Sequence, residues 1–166
     1  MLAQHLFTRK VLLLFACAGL LPAFGCRNHA ESLESLNPGQ LTWATYSNAA
    51  AGYSLSYPRQ LRPDENDGNV FFRYNGAVPV VVRYTDEQEG KDRGAWFGHP
   101  VVDAITLGSR KGQKFIYDHW DGPFAVRTVS YVVKHREKFL GLEFRTDSEL
   151  SEVQKQILSS FTFFAP

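Results

Sequence analysis

The chain of 166 residues carries a formal net charge of +1 at pH 7 and two cysteines, Cys17 and Cys26. The charge balance predicts neither a nucleic-acid partner nor electrostatic binding to anionic lipid, because both need a basic excess. Both cysteines lie near the N-terminus, so the sequence excludes a disulfide framework for residues 27–166. A domain there must be stabilised by its own hydrophobic core, and its length is sufficient for one.

The first 25 residues have the order of a secretory signal peptide. Arg9 and Lys10 precede an unbroken run of eleven apolar or small residues, and small residues at positions 23 and 25 precede Cys26. The run is shorter than the roughly 20 residues that a membrane-spanning helix needs. The sequence therefore predicts an exported protein with a leader at 1–25.

Cys26 follows a small residue, Gly25, and this arrangement resembles the cleavage region of bacterial lipoproteins. The resemblance implies that Cys26 is the lipidation site, where palmitate or similar acyl chains anchor the mature protein to a membrane. Arg27 stands where enteric-type sorting uses Asp for retention at the inner membrane. In a Gram-negative source this implies the outer membrane, facing the periplasm. Ordinary cleavage after Gly25 is the alternative, and it gives a soluble secreted protein.

Residues 26–40 are polar and contain a Pro-Gly pair, which predicts a tether between the anchor and a single domain at 41–166. Within the domain, alternating large and small side chains predict strands. Asn75-Gly76 predicts a tight hairpin turn, because both residues readily adopt positive φ. Pro79 cannot donate to a sheet, so its strand is expected to begin at an edge or a bulge. The predicted strands are 41–46, 53–57, 70–74, 78–84, 101–107, 113–120, 125–135 and 139–146.

A helix is predicted at 149–160, where apolar residues recur at helical spacing and Ser148 can serve as the N-cap. Segment 59–69 is predicted as a loop and 86–100 as a long loop with one helical turn, because both are rich in charged residues, Gly and Pro. The second is long for a compact domain, and such loops are often functional.

Two stretches resemble PsbP-like domains, a family that includes an extrinsic subunit of photosystem II and modules of bacterial lipoproteins. One is Tyr46-Ser47-Asn48 followed by residues 52–58, and the other is 149–163. The resemblance implies an α+β fold, an antiparallel β-sheet flanked by helices in an α/β/α sandwich. A second helix must then come from 59–69, 86–100 or the tether. The family is mostly noncatalytic, so the resemblance carries no set of catalytic residues.

Three further strings are candidates for chemistry. Asp118-His119-Trp120-Asp121 places a histidine between carboxylates, but neighbouring strand residues point to opposite faces, which separates Asp118 from His119. His99 and Asp103 form at most a two-ligand pair, about 13 Å apart along a strand. Gly108-Ser109-Arg110-Lys111-Gly112 lacks the ending of a phosphate-binding loop and predicts a hairpin turn, with a weak anion site including Lys114 as the alternative. The sequence predicts no catalytic residue, no metal site and no cofactor.

Trp96 and Phe97 lie between Gly94 and Gly98 in the long charged segment. Large aromatic residues in such a loop either fill the protein's own core or stand out to meet a partner. If they are exposed, Trp96 and Phe97 are the predicted partner contact.

These patterns favour a non-enzymatic envelope lipoprotein that acts as an accessory or protein-binding module. Its partners would be the membrane, through the N-terminal lipid, and an envelope protein, with no nucleic acid. One alternative is a small-ligand carrier, which predicts an apolar cavity under the Trp96 loop. The other is a hydrolase that uses Asp residues with His119 or His99, which predicts that these side chains converge in one pocket.

Overall fold

The computed structural model describes residues 33–88, 96, 99–121, 124–146 and 149–164. Within these residues the strands are β1 (Trp43–Asn48), β2 (Tyr53–Pro58), β3 (Arg62–Asn66), β4 (Asn69–Tyr74), β5 (Ala77–Thr85), β6 (Val101–Leu107), β7 (Arg110–Asp121), β8 (Phe124–His135), β9 (Lys138–Arg145) and β10 (Thr162–Phe163), and the helix is α1 (Glu152–Ser159). A small sheet has the order β1-β2-β10, and a large sheet has the order β3-β4-β5-β9-β8-β7-β6. All of these strand pairs are antiparallel.

The expected sandwich of one sheet flanked by helices is wrong, because the strands of the described chain form two sheets, and α1 is the one α-helix whose whole extent lies within the described residues. The small sheet and α1 together cover one face of the large sheet. Tyr53 and Leu55 of β2 and Ile157 of α1 are buried in one core with Leu140 and Leu142 of β9. On this face of the large sheet, the layer that was expected to consist of helices is formed by the small sheet together with α1.

Segment 59–69 is one reason for the difference. Within it, Arg62–Asn66 forms β3, which pairs with β4 at one edge of the large sheet. Pro63 disfavours helical backbone angles in the residue before it and favours an extended chain. Asp67 and Gly68 follow with φ of 49° and 76° and turn the chain into β4. The segment predicted as a loop, or as the missing helix, is an edge strand.

The hairpin predicted at Asn75-Gly76 is confirmed. Asn75 and Gly76 have φ of 45° and 83°, so both occupy the left-handed region that a tight turn between antiparallel strands requires. The register of β4 and β5 shifts between Phe72 and Tyr74, opposite Pro79. The bulge expected at Pro79 is therefore confirmed, and its physical reason is the missing N–H of proline.

The predicted C-terminal helix is confirmed, but it begins at Glu152 and not at residue 149. Its N-cap is Ser151, whose hydroxyl accepts from the Gln154 N–H, while the Gln154 side chain accepts from the Ser151 N–H. Gln154 also donates to the Arg145 carbonyl at 3.0 Å, which ties α1 to the end of β9. The predicted cap, Ser148, lies outside the described residues. Within the described ranges no helix is both long and apolar enough to span a bilayer.

The tether was predicted to extend from residue 26 to residue 40, but its C-terminal part packs against the folded domain. Leu33 is buried in the main core and Leu36 packs against it, in two short 3₁₀ turns at Leu33–Ser35 and Pro38–Gln40. Burial of one leucine stabilises by roughly 1.5–3 kcal/mol, enough to hold this segment on the domain. The folded unit therefore includes residue 33, and residues 26–32 lie outside the described part.

Candidate functional site

The face of the large sheet that turns away from the small sheet is here called the Trp96 face. Residues opposite one another across antiparallel strands share a face, and the pairs Val81–Glu143, Glu143–Ser130 and Ser130–Phe115 define this one. Trp96 is fully buried in a cluster with Phe115, Tyr117 and Val132, and the partly buried Phe139 packs against this cluster. The segment before β6 therefore places its tryptophan on the sheet.

Gly141 of β9 makes this packing possible. A Cβ at Gly141 would lie 2.3 Å from Cζ3 of Trp96 and 2.6 Å from Cη2. Of the two roles that the sequence leaves open for Trp96, core packing is the one that the structure assigns, so its side chain does not form a contact surface. Phe97 lies outside the described residues, and its role as a contact stays a prediction.

An ion pair lies on the same face. Arg83 Nε and Nη2 donate to the two carboxylate oxygens of Glu143 at 2.8 and 3.1 Å, and the side chains are 22% and 5% exposed. Ser130 donates to the Tyr117 hydroxyl at 3.4 Å. Burial, with the negative charge of Glu143, raises the pKa of Tyr117 to about 12. The phenol therefore stays protonated near neutral pH and cannot serve as a base.

Both candidate histidines lie beside the Tyr117 ring of this cluster. The His99 ring stacks on Tyr117 at 4.4 Å between centroids, and His119 lies 6.1 Å from the same ring, with Nδ1 3.3 Å from Thr128 Oγ1. Asp118 points to the opposite face, where hydrogen bonds from Arg127 lower the pKa of its carboxyl. The predicted separation of Asp118 from His119 is confirmed.

The remaining sequence candidates are also placed. Asp103 is exposed on β6, opposite Lys114 on β7. Gly108, with φ of 55°, begins the turn between β6 and β7, so the hairpin predicted for 108–112 is confirmed. The guanidinium of Arg110 lies 4.9 Å from the Phe163 ring centroid. Among the described residues no three His, Cys, Asp or Glu side chains are grouped as a metal site.

A buried histidine that the sequence did not single out lies at one end of the large sheet. His135 Nε2 is 2.6 Å from the Ala51 carbonyl, and since a carbonyl can only accept, Nε2 carries the proton. The ring stacks on Phe163 at 4.7 Å, and Nδ1 has no hydrogen-bond partner among the described residues. Burial lowers the pKa of His135 below its ordinary 6.5, and the charges of Arg110 and Arg136 act in the same direction.

This environment predicts acid sensitivity. Below pH 6.5 the unfolded chain binds a proton at His135 more readily than the folded chain, which favours unfolding. The free energy of unfolding should fall by up to about 1.4 kcal/mol per pH unit until the folded pKa is reached. His135→Gln retains a donor for Ala51 and cannot titrate, so urea unfolding from pH 8 to 5 should show a shallower decline. Equal declines in the two proteins would contradict this assignment.

The two edges of the large sheet differ in chemistry. The β3 edge is exposed at each of its five residues and carries Pro63 with three charged residues, Arg62, Asp64 and Glu65. Proline and charge are the usual protections of a sheet edge against pairing with another chain. The β6 edge is mostly exposed as well, but its one charged residue is Asp103, and Val101 and Val102 are 48% and 49% exposed. Among the described residues only β7 pairs with β6.

The described residues define a β-rich domain with two antiparallel sheets, in which the unpaired β6 edge of the large sheet exposes two valines. No family model matches the chain, and no curated protein matches its sequence. The chain is similar to the solution structure of cyanobacterial PsbP (CyanoP) from Synechocystis sp. PCC 6803. The identity is 14%, the match covers 78% of this chain and 96% of that chain, and the TM-score is 0.48.

Proposed function

We propose that the protein is a noncatalytic accessory module that binds a protein partner at the bacterial envelope, anchored there by acyl chains on Cys26. The open β6 edge carries this proposal, because it exposes Val101 and Val102 on an end strand of the sheet. Such an edge is a template for a strand of another chain, since main-chain N–H and C=O groups supply affinity without a pocket.

The pairing of polar groups supports binding over hydrolysis. A hydrolase needs a base or nucleophile that is directed at substrate. Here Glu143 is held by Arg83, and Asp118 is held by Arg127 on the face opposite His119. A small-ligand carrier would need a cavity under Trp96, where the indole packs on Gly141. These contacts engage the carboxylates and the indole with the protein's own residues, which supports a binding role for the exposed β6 edge.

The anchor would hold the domain close to the membrane. Leu33 is packed in the core, so six residues, 27–32, separate it from Cys26. The seven Cα–Cα steps from Cys26 to Leu33 span no more than about 25 Å when fully extended. Confinement at that height raises the effective concentration of the domain toward other proteins on the same surface.

Chemical crosslinking in intact host cells, followed by mass spectrometry, tests this proposal. The full-length protein should recover a defined partner, and Cys26→Ala should reduce the yield at least about tenfold, because the tethered concentration is lost. Immunoblots of both proteins control for expression. Equal recovery from both forms would contradict the anchored role, and recovery of nothing specific from either would contradict binding itself.

A further inference from the structure

We infer that His135 is a pH-sensitive switch at a corner where the small and large sheets meet, and that protonation of its buried ring opens this corner while the large sheet stays folded. The corner, here called the His135 corner, consists of residues 48–52 and 162–164 from the small sheet and 135–138 from the large sheet. The inference does not depend on the proposed function, because it rests on contacts within the chain.

Two adjacent residues of the large sheet hold the His135 corner closed. His135 Nε2 donates to the Ala51 carbonyl at 2.6 Å, and Arg136 Nη1 donates to the Ala50 carbonyl at 2.6 Å. The His135 ring also stacks on Phe163 of β10, with 4.7 Å between the ring centroids. One histidine therefore contacts both the β1–β2 turn and β10, so a change at its ring acts on both.

The backbone of the His135 corner is closely fitted. Arg136 has φ of 59°, in the left-handed region that residues other than glycine rarely adopt. A Cβ at Gly52 would lie 2.6 Å from Arg136 Nη2 and 3.0 Å from the Phe164 carbonyl oxygen. The Phe164 N–H donates to the Gly52 carbonyl at 3.1 Å. The surrounding contacts hold Arg136 in its unfavourable conformation, so the loss of one contact helps to release the turn.

A second proton on the His135 ring would have no partner in the closed corner. The residue is 1% exposed, and Nδ1 has no hydrogen-bond partner among the described residues. In the neutral ring Nδ1 is an acceptor, whereas in the cation it becomes a second donor that carries charge. A buried charged donor without a partner costs much more than an unpaired neutral acceptor. The charged ring finds a partner in water only if it turns out of the corner.

Positive charge beside the ring favours its neutral form. The register that pairs Gly112 with Val133 continues along β7 and β8, and two residues further it places Arg110 opposite His135. Residues opposite one another share a face of the sheet. Burial lowers the pKa of His135, and the charges of Arg110 and Arg136 lower it further. A proton on the closed ring would therefore join two guanidinium groups at one corner.

The other ionisable side chains on the elements that contact the ring do not reverse this balance. They are Glu137 and Lys138 of the β8–β9 hairpin and Tyr84 of β5, whose ring lies 6.3 Å from that of His135. The formal charges of the glutamate and the lysine cancel, so the two arginines leave a positive excess. Segments 48–52 and 162–164 contain no ionisable side chain. Both sheets therefore favour an uncharged ring in the closed corner.

Opening of the His135 corner would uncover apolar surface. Phe163 is partly covered by the His135 ring and by the Arg110 guanidinium, which lies 4.9 Å from its centroid. Phe164 beside it is already 39% exposed. Release of β10 would expose these two neighbouring phenylalanines together. The protein would then present in acid an apolar surface that its neutral form covers.

Amide hydrogen exchange of the full chain in detergent micelles, followed by NMR from pH 7.5 to pH 5, tests the inference. Protection factors remove the intrinsic pH dependence of exchange. The reporter is the Phe164 N–H, which is bonded across the corner, and the reference is the Leu142 N–H in the buried strand β9. His135→Gln is the matched control, because its amide can donate to Ala51 and does not titrate.

The Phe164 protection factor should fall by up to about thirtyfold between pH 7.5 and 5. Below pH 6.5 the open corner takes up a proton more readily than the closed corner, whose pKa is lower. The factor should stay constant in His135→Gln, and that of Leu142 should stay higher than that of Phe164 at every pH. Arg110→Gln should show a smaller fall than the natural protein, because one of the opposing charges is gone.

Arg110→Gln leaves His135 and its contacts in place, so the test does not depend on the folding of His135→Gln. A fall in both variants as large as in the natural protein would overturn the inference. A Phe164 protection factor that does not change with pH would overturn it as well. So would equal factors for Phe164 and Leu142, because exchange at the corner would then require global unfolding.

Discussion

Replacing Glu143 with alanine is expected to lower the free energy of unfolding by about 2–4 kcal/mol. The Glu143 side chain is 5% exposed, and both of its oxygens accept from Arg83. Removal of one partner of a buried ion pair is costly because the remaining guanidinium loses two charge-assisted hydrogen bonds at a site that is largely shielded from water. Arg83 is 22% exposed, so partial hydration places the loss at the lower end of the usual range. Urea unfolding at pH 7 measures the change.

The matched control is Asp118→Ala, which breaks the pair between Asp118 and Arg127. The geometry is similar, with Nε to Oδ1 at 3.0 Å, but these side chains are 57% and 48% exposed. Water screens such a pair, so little or no loss of stability is expected. The double substitution Arg83→Met with Glu143→Leu should be less harmful than Glu143→Ala, since neither member of the pair is left buried without the other. Equal losses in Glu143→Ala and Asp118→Ala would contradict the buried pair.

Gly141→Ala is expected to destabilise the protein by about 1–3 kcal/mol, although alanine is normally acceptable in a strand. The added methyl would lie 2.3 Å from Trp96 Cζ3, so the indole must move. Tryptophan fluorescence should report this movement, and urea unfolding should report the loss. Gly39→Ala is the control, because its Cβ would meet Asn37 Oδ1 at an ordinary 3.5 Å.

A double-mutant cycle assigns this effect to the indole. Trp96→Leu removes the ring that a Gly141 methyl would strike, so Gly141→Ala should cost much less stability in that background than in the natural protein. An unchanged cost would mean that the glycine is needed for another reason. Full stability of Gly141→Ala in the natural background would contradict the packing of Trp96 on β9.

The parts of the fold that were predictable are set by neighbouring residues. Asn75-Gly76 fixes a hairpin through its own backbone preferences, and the apolar spacing of α1 fixes a helix. β3 was missed because Arg62–Asn66 is polar on both faces and contains Pro63. Its extended form depends on pairing with β4. The five residues show no alternation of apolar and polar side chains from which that pairing could be predicted. The small sheet was missed for a related reason, because β10 has only two residues.

The same limit applies to the candidate site. The sequence leaves Trp96 with two roles, and the choice depends on Gly141, which is 45 positions later in the chain. Arg83 and Glu143 meet across a separation of 60 residues. The apolar character of β6 is visible in the sequence, but its place at the end of the strand order is not. A strand edge becomes a candidate surface when the topology leaves it unpaired.

The role of β6 as the binding edge is tested most directly by two variants that add a charge to one edge of the large sheet each. Both are compared with the natural protein by crosslinking in intact cells. Val102→Lys introduces on β6 the residue type that protects natural edges, and Asn66→Lys adds the same charge to β3. Both positions are exposed, so both variants are expected to fold, and circular dichroism checks this. Val102→Lys should lower the recovery of the crosslinked partner at least about tenfold, while Asn66→Lys leaves it unchanged. Equal recovery from Val102→Lys and the natural protein would contradict β6 as the binding edge.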